Sequence, residues 1–454
     1  MSQVVVLGGG PAGLYTALLL ARRQIPVTVL EREQVPGGLT AGTVVAGVDV
    51  DFGSHRLHPS VDPGILSDLT AILGDDLQPR RRNGRIRIED SWISFPIAPG
   101  EMLTRLRPGT VARLGLGAIR ALVTPNRSET FADVVATGLG KGMGEVFYFP
   151  YARKIWGVDP RELSGEQARR RISADSALKL ARKTFSRSGT SREFFYPKRG
   201  FGQIASGLAE AAVQAGADIR LGTTVTSISG KRPDFEVGTS HGPLHADLVL
   251  STVPVTVLAR FLSPPATIRA SLDSLSYRAM ALVYLVVPVA QWTSFDAHYF
   301  PGADVLFTRV SEPKNYRDGP DPADRTVLCV EIPCDPEDSV WSDDDANLLS
   351  RVRDDIVAMG LPDPGGDGEL RRLRNVYPVY RLGSEQALFE VAAWLDGEPG
   401  LVSYGRQGLF AHDNTHHALL MARDAVACVS SNLEFDHESW DQARERFATH
   451  VVED

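Results

Sequence analysis

Residues 4–13 contain the feature that most restricts the fold of this chain, an apolar run followed by closely spaced glycines. The four apolar residues Val4–Leu7 predict a buried parallel strand. Gly8 permits a tight turn out of that strand, Gly10 lets the backbone approach a pyrophosphate, and Gly13 lets the following helix pack closely against the strand. The spacing therefore predicts a strand–turn–helix unit that binds a dinucleotide.

The segment after the glycines supplies the rest of the predicted site. Pro11 and Ala12 open a helix that continues to about residue 23, and its free N–H groups and positive dipole end point at the phosphates. A second strand over Val27–Leu30 ends at Glu31, which is placed to accept hydrogen bonds from a ribose diol. Because these parts follow in order, we interpret them as a dinucleotide site rather than as a glycine-rich turn.

The residues around Glu31 favour FAD over a nicotinamide cofactor. A second glycine pair, Gly37 and Gly38, comes soon after the acid and is followed by Leu39. A flavin enzyme needs a close backbone approach there, because the ribityl chain and the isoalloxazine ring run past that loop. Arg32 is placed to pair with a phosphate. A plain surface turn is the alternative interpretation.

Three later segments also fit an FAD-binding sheet. Residues 217–228, which include Val225, and residues 246–254 have the pattern of strands that rejoin the parallel sheet after an insertion. We therefore place Val225 among the FAD contacts. Residues 401–408 form a late strand–glycine unit around Gly405, and a helix follows at about residue 415. Its N-terminus is predicted to face the flavin N1/C2=O edge, where the reduced flavin carries negative charge.

Composition narrows the class of protein. A chain of 454 residues is expected to form two or three domains, and 43% hydrophobic and 23% charged residues are typical of a soluble globular protein. A net charge of −8 without a basic tail argues against a nucleic-acid partner. The sequence predicts neither a transmembrane segment nor a signal peptide. Cys329, Cys334 and Cys428 lack metal or redox spacing, which favours a reducing, cytoplasmic setting.

Together these segments resemble the FAD-dependent clan that includes UDP-galactopyranose mutases, protoporphyrinogen oxidases, amine oxidases and phytoene desaturases. The resemblance implies an α/β fold in which a Rossmann-like FAD-binding domain is interrupted by a helical insertion and a mixed β-sheet substrate domain. The expected divisions are an FAD-binding domain over 1–70, 200–260 and 395–435, a largely helical substrate or cap domain over 71–199, a mixed-sheet substrate domain over 261–394, and a C-terminal helix or tail over 436–454.

Residues 51–59 resemble a mutase loop that lies against the flavin near N5. The resemblance implies that His58 faces the flavin and that His55 lies nearby in the cofactor site. Taken from the residues alone, two histidines three positions apart could also bind a metal, but no third ligand accompanies them, so no metal is predicted. A structural role for the histidines is the alternative.

Residues 149–164 resemble the mutase segment whose aromatic side chains line a uridine and sugar pocket. Tyr151 and Trp156 offer flat apolar faces with a polar edge, which suits stacking on a nucleotide or a sugar. A buried aromatic pair at helical spacing is the alternative.

Two arginines match family positions that contact the substrate. Arg171, the last of three consecutive arginines, matches one that reaches into the site. Arg309 matches one that holds the substrate diphosphate, a task that suits the planar guanidinium because it binds phosphate oxygens bidentately. For Arg309, a surface ion pair is the alternative.

The last matching segment covers residues 405–418, where the resemblance implies that Arg406 and Asn414 contact FAD. His412 stands where the mutases have a tyrosine that helps to hold the diphosphate, and His416 replaces an acid. Because of these two changes, this protein could differ from the mutases in its sugar, in its leaving group or in its reaction.

Two further patterns concern the insertions. Residues 82–85, Arg-Asn-Gly-Arg, predict a type I′ hairpin between short strands, with solvated arginines favoured over a phosphate site. Residues 279–287 and 326–332 predict strands of the sheet that forms the floor of the substrate site.

The resemblance implies a flavoenzyme and allows two reactions. In the first, reduced-flavin N5 chemistry interconverts the pyranose and furanose forms of a nucleotide-linked sugar, with NAD(P)H as a possible external reductant. The cationic side chains Arg171 and Arg309 would stabilise the leaving diphosphate. In the second, oxidised FAD takes hydride from a small biosynthetic intermediate, as in an oxidase, dehydrogenase or desaturase. A flavoprotein without catalytic activity is the third hypothesis. The sequence determines neither the substrate nor the oligomeric state.

Overall fold

The computed structural model describes residues 3–97, 99–121, 129–171 and 193–452. Its strands, in chain order, are β1 Val4–Leu7, β2 Val27–Leu30, β3 Gly42–Val45, β4 Val48–Asp51, β5 Leu77–Arg81, β6 Gly84–Ile88, β7 Ser91–Phe95, β8 Glu193–Pro197, β9 Asp218–Arg220, β10 Val225–Lys231, β11 Asp234–Thr239, β12 Leu244–Ala246, β13 Leu248–Ser251, β14 Ser276–Val287, β15 Ala297–Tyr299, β16 Arg309–Ser311, β17 Thr326–Cys334, β18 Gly368–Val379 and β19 Leu401–Ser403.

The helices, in chain order, are α1 Pro11–Arg22, α2 Pro63–Leu73, α3 Pro99–Arg105, α4 Pro108–Ala121, α5 Phe131–Gly138, α6 Lys141–Met143, α7 Phe149–Trp156, α8 Gly165–Arg171, α9 Gly202–Gln214, α10 Val255–Phe261, α11 Ala266–Ser274, α12 Ser339–Ser342, α13 Asp345–Ala358, α14 Ser384–Asp396, α15 Gly405–Gly408, α16 Thr415–Ala427 and α17 His437–Phe447. Among the described residues, no helix is both long enough and apolar enough to cross a membrane.

A five-stranded parallel sheet in the order β19-β13-β1-β2-β9 is the centre of the nucleotide-binding part. β1 is buried on both faces, with Val4 and Val6 packed toward α1, α9 and α16 and Val5 and Leu7 packed toward α10 and α14. Strands from both ends of the chain meet in this one sheet. The predicted interrupted α/β fold is confirmed.

A seven-stranded mixed sheet in the order β18-β14-β17-β16-β15-β6-β7 forms the second body. The predicted strands 279–287 and 326–332 lie within β14 and β17, which pair in antiparallel register. On β14, Ala281 and Val283 pack toward α13, whereas Leu282 and Tyr284 pack toward β4. Successive side chains of a strand point to opposite faces of the sheet, so β14 contributes to one hydrophobic core on each face.

The helices α3–α8 form a layer over one side of the mixed sheet, with Phe131 and Trp156 in its core. The segment predicted to be largely helical also supplies β5–β8, of which β6 and β7 extend the mixed sheet. The division of the chain into domains at the predicted boundaries stays a prediction.

The predicted hairpin at residues 82–85 is wrong. β5 pairs with β8, and β6 pairs with β7 and β15, so the two strands that flank the Asn-Gly sequence do not pair with each other. The Asn83 amide instead donates to Asp296 at 2.9 Å. Arg82 is buried, and Arg85 is partly exposed, with its guanidinium over the ring of Trp92 at 4.2 Å. Long-range pairing thus overrides the local turn signal.

Candidate cofactor and substrate site

The first glycine turn has the geometry that its spacing predicts. Gly8 has a φ of 100°, which favours glycine, and a Cβ on Gly13 would lie 2.0 Å from the Gly8 carbonyl oxygen. A Cβ on Gly10 would meet no atom within 4 Å, so open space lies beside this residue. α1 begins at Pro11 with no side-chain cap and no acid in its first turn. The first amides of α1 thus open toward a space that suits an anion.

Glu31 is buried at the end of β2 and fixed by two backbone donors. The Gly9 amide donates to Oε2 at 2.7 Å and the Glu33 amide to Oε1 at 2.9 Å. Each carboxylate oxygen keeps a second lone pair, which suits a ribose hydroxyl. Arg32 lies exposed beside Glu33, with their charged groups 3.3 Å apart, so its contact with a phosphate stays a prediction.

The second glycine pair packs directly on the first turn. The Gly37 amide donates to the Gly9 carbonyl at 2.7 Å, and a Cβ on Gly38 would lie 3.5 Å from the Gly10 Cα. Leu39 follows in the same loop and lines the cleft described below. The loop thus has the close backbone approach that the sequence predicts for an FAD enzyme.

The late strand–glycine unit reaches the same place from the other end of the chain. Gly405 has a φ of 78°, and a Cβ there would lie 3.4 Å from the Ala12 Cβ. Asn414 caps α16 in a reciprocal arrangement with His417, and the first turn of α16 opens onto the cleft. Val225 begins β10, two residues after Thr223, whose amide donates to the Glu31 carbonyl at 2.8 Å. Gly405 therefore brings the start of α15 against the start of α1.

A cleft lies beside the start of α16, between the mixed sheet and helices α7 and α8. Met280 and Leu282 of β14 provide an apolar floor. The structure brings together several of the predicted site residues in the lining of this cleft, namely Leu39, His55, Tyr151, Arg171, Arg309, Arg406 and Asn414.

His58 and Trp156 are not among the residues that line the cleft. His58 lies beside Ser60, with its ring centroid 5.8 Å from that of His416. Trp156 is 4% exposed and packs edge-on against Phe131 in the helical layer. Of these predicted residues, His55 and Tyr151 therefore line the cleft, whereas His58 and Trp156 do not.

His55 is held as a neutral side chain. Its ring stacks on Phe201 at 5.4 Å, and Nε2 lies 3.1 Å from the Phe52 carbonyl, to which it donates. Desolvation lowers the pKa of His55 to about 4, against the opposing attraction of Glu331. His55 is thus neutral at neutral pH and offers no charge to a ligand.

Arg309 forms a buried bidentate ion pair with Glu331. Nε and Nη2 of Arg309 lie 2.8 and 2.6 Å from the two carboxylate oxygens. Glu331 also accepts the Ser54 amide at 2.7 Å. Burial lowers the pKa of Arg309, but the Glu331 charge outweighs this and raises that pKa above its usual range. The strongest hydrogen bonds of Arg309 are therefore already made within the protein.

More arginines than carboxylates nevertheless line the cleft, although one of them, Arg56, also lies 3.4 Å from the buried carboxylate of Asp296 outside the lining. Two carboxylates, those of Glu331 and Asp413, line it together with five guanidinium groups, which belong to Arg56, Arg82, Arg171, Arg309 and Arg406. Arg171 and Arg406 also lie over the Tyr377 ring, at 5.7 and 5.5 Å. This arrangement combines positive charge with aromatic faces, which favours an anionic ligand with a planar part.

His412, which replaces the family tyrosine, is fully buried behind this surface. Nε2 donates to the Pro378 carbonyl at 2.6 Å, and the ring stacks on Tyr377. Burial lowers the pKa of His412 well below its usual range, and the charges of Arg171 and Arg406 lower it further. His412 is therefore neutral, and it supports the Tyr377 ring rather than lining the cleft.

Sequence reasoning missed several residues of the lining. Glu331 was detectable, because it is one charged residue within the apolar run of β17. Arg56 and Tyr377 gave no local signal, since distant strands and loops bring them to the cleft. Asp413 lies between His412 and Asn414 in the family segment, but no family position marked it as a site residue.

The family described as flavin containing amine oxidoreductase matches residues 11–417. Among curated proteins, a Mycobacterium tuberculosis protein named as a flavin-containing monoamine oxidase, AofH, is 26% identical over 276 residues, which cover 56% of this chain and 57% of that protein. This chain thus matches little more than half the length of that relative.

Two solved structures resemble the whole molecule. A crystal structure of reduced UDP-galactopyranose mutase matches with a TM-score of 0.82 at 20% identity and covers 100% of both chains. A structure named as a protoporphyrinogen oxidase from Exiguobacterium sp. 255-15 matches with a TM-score of 0.74 at 19% identity and covers 94% of this chain and 98% of that chain. At these identities the likeness establishes the fold alone.

Proposed function

The chain belongs to the flavin-containing amine oxidoreductase family, and from this premise we propose that it is an FAD enzyme whose substrate is an anionic nucleotide-linked sugar. The observation that carries the proposal is the surplus of arginine over carboxylate in a cleft that also presents tyrosine faces. Such a cleft repels an ammonium group, so it argues against a simple amine as substrate.

The residues present fit FAD. Open space beside Gly10 suits the pyrophosphate, the fixed Glu31 carboxylate suits the ribose, and the first turn of α16 suits the polar edge of the flavin ring. Bound FAD would supply a nucleophilic N5 when reduced, or a hydride acceptor when oxidised.

The protein's own side chains have separate tasks in this proposal. Arg171 binds and neutralises the diphosphate, since it forms no ion pair with a carboxylate among the described residues. Arg406, which was predicted as an FAD contact, is likewise unpaired with a carboxylate among those residues and adds positive charge beside Arg171. Tyr151 offers an aromatic face to the base or the sugar. The apolar floor of Met280 and Leu282 excludes water from the reacting face of the flavin.

The decisive experiment uses the purified flavin-loaded protein, reduced with dithionite or NAD(P)H under anaerobic conditions. UDP-galactose and other nucleotide hexoses are added, and the products are separated by chromatography. We expect a furanose product that forms only with the reduced protein. If no nucleotide hexose is converted and another substrate yields hydrogen peroxide with turnover, the proposal that this enzyme acts on a nucleotide-linked sugar is wrong.

One observation favours a second function, net oxidation of an anionic small molecule by FAD. Arg309, which was predicted to hold the diphosphate, is held by Glu331, and the family tyrosine is replaced by His412, whose Nε2 is hydrogen-bonded to the Pro378 carbonyl. An oxidase of a carboxylated substrate needs the positive cleft but not these groups. Oxygen consumption by the oxidised protein distinguishes this function from the first.

Arg171→Gln is expected to raise the Kd for UDP by at least about tenfold, equivalent to ~1.4 kcal/mol, because a charged hydrogen bond to phosphate is lost. Isothermal titration calorimetry of the flavin-loaded protein measures this change. The matched control is Arg169→Gln on the same helix, where the side chain is half exposed and pairs with Glu166 at 2.9 Å. Equal weakening by both variants would mean that general charge, not a contact of Arg171, attracts the ligand.

A further inference from the structure

A group of metal-binding side chains lies at the edge of the cleft, where the C-terminal segment meets α16. Asp413 precedes the helix, His417 is in its first turn, and His450 follows α17. One potential ligand atom from each residue lies within 4.8 Å of those of the other two. None of the three was predicted as a ligand, because 33 positions of sequence separate His417 from His450.

The distances fit a single ion. Asp413 Oδ1 lies 3.6 Å from His417 Nδ1, and Asp413 Oδ2 lies 3.5 Å from His450 Nδ1. Ligand atoms about 2.0 to 2.2 Å from a tetrahedral ion are separated by roughly 3.3 to 3.6 Å. The two imidazole rings stack with centroids 4.2 Å apart, so both can present Nδ1 to the same side.

Within the described part of the chain, the carboxylate of Asp413 has one long hydrogen bond, 3.5 Å between its Oδ2 and His450 Nδ1. Asp413 is 1% exposed, and its Oδ1 receives no hydrogen bond from the described residues. A buried carboxylate beside two imidazoles is a typical donor set for a cation.

We propose that Asp413, His417 and His450 form a binding site for a divalent transition metal ion, for which Zn²⁺ is the test ion. Two imidazole nitrogens and one carboxylate favour such an ion over Ca²⁺ or Mg²⁺, which prefer oxygen ligands. Water would complete the coordination. The weak 3.3 Å hydrogen bond from the Asn414 amide to His417 Nδ1 would give way to the metal.

The site would also fix the end of the chain. Phe447 anchors α17 in the core, and the Val452 amide donates to the Arg170 carbonyl at 2.8 Å, while Val452 itself lines the cleft. A metal on His450 would therefore tie this segment to the helix whose first turn faces the flavin position.

The test measures Zn²⁺ binding to chelator-treated, flavin-loaded protein by calorimetry, with metal content checked by mass spectrometry. We expect one equivalent to bind, to raise the melting temperature, and to bind at least about tenfold more weakly to His450→Ala. His450 lies near the end of the described chain and is partly exposed, so this variant is expected to fold.

His245→Ala is the matched control, because it removes an exposed histidine that lies 2.9 Å from Asp234, the kind of pair that binds Zn²⁺ adventitiously. We expect this variant to bind like the wild type. The proposal is overturned if the wild type binds no stoichiometric Zn²⁺, if His450→Ala binds as tightly, or if only His245→Ala loses binding.

Discussion

Replacing Glu331 with glutamine is expected to lower the free energy of unfolding by about 3 to 5 kcal/mol, because the substitution leaves the Arg309 charge uncompensated in a buried site. The side chains of Arg309 and Glu331 are only 16% and 4% exposed, so solvent screens this pair little. Glutamine keeps the shape of the side chain, which makes charge the main difference between the two proteins. Urea denaturation of the flavin-loaded protein measures the change.

Asp363→Asn is the control for this prediction. Asp363 forms a 2.6 Å ion pair with Arg353, but both side chains are more than 40% exposed. Loss of this exposed ion pair is expected to change the free energy of unfolding by less than about 1 kcal/mol. If Glu331→Gln proves equally mild, another group must compensate Arg309. Anion binding by the Glu331→Gln variant gives a second measure, since a released Arg309 is expected to bind UDP more tightly.

Gly10→Val is expected to give a folded protein that binds FAD at least about a hundredfold more weakly, equivalent to ~2.7 kcal/mol. The backbone at Gly10 has a φ of −76°, which any residue adopts, and a Cβ there meets no protein atom within 4 Å. The valine side chain would occupy the space that we assign to the pyrophosphate. Flavin titration of the stripped protein measures binding, and circular dichroism confirms the fold.

Gly13→Ala provides the contrast. Its Cβ would lie 2.0 Å from the Gly8 carbonyl oxygen, a backbone contact that no side-chain movement relieves. We expect this variant to yield little folded protein, so its defect lies in helix packing rather than in cofactor contact. A Gly10→Val protein that retains full flavin affinity would place the pyrophosphate elsewhere.

The nucleotide-binding turn could be predicted because its information is local. The strand, the glycines at 8, 10 and 13, and Glu31 lie within 28 consecutive positions, and each has a separate backbone requirement. The long strands β14 and β17 were detectable for the same reason, since each is one apolar run.

The cleft was less predictable, because its lining comes from distant segments. Nothing near Arg82 indicated burial, whereas strong Asn-Gly turn chemistry indicated a hairpin that does not form. The spacing of two aromatic residues in one predicted helix did indicate that only one of them could line the cleft. Tyr151 and Trp156 are five positions apart, roughly 140° around a helix, so both could not face the same ligand. In the structure, Tyr151 lines the cleft and Trp156 packs in the core.

The strand order of the parallel sheet has a consequence for biosynthesis. β13 ends at Ser251, but its outer neighbour β19 begins only at Leu401. The ribosome needs roughly 8 to 30 s to add the intervening residues at about 5 to 20 residues per second. During that interval the nascent chain presents an unpaired, apolar edge strand, which is a known aggregation hazard. Shielding by a chaperone is therefore most valuable between the synthesis of these two strands.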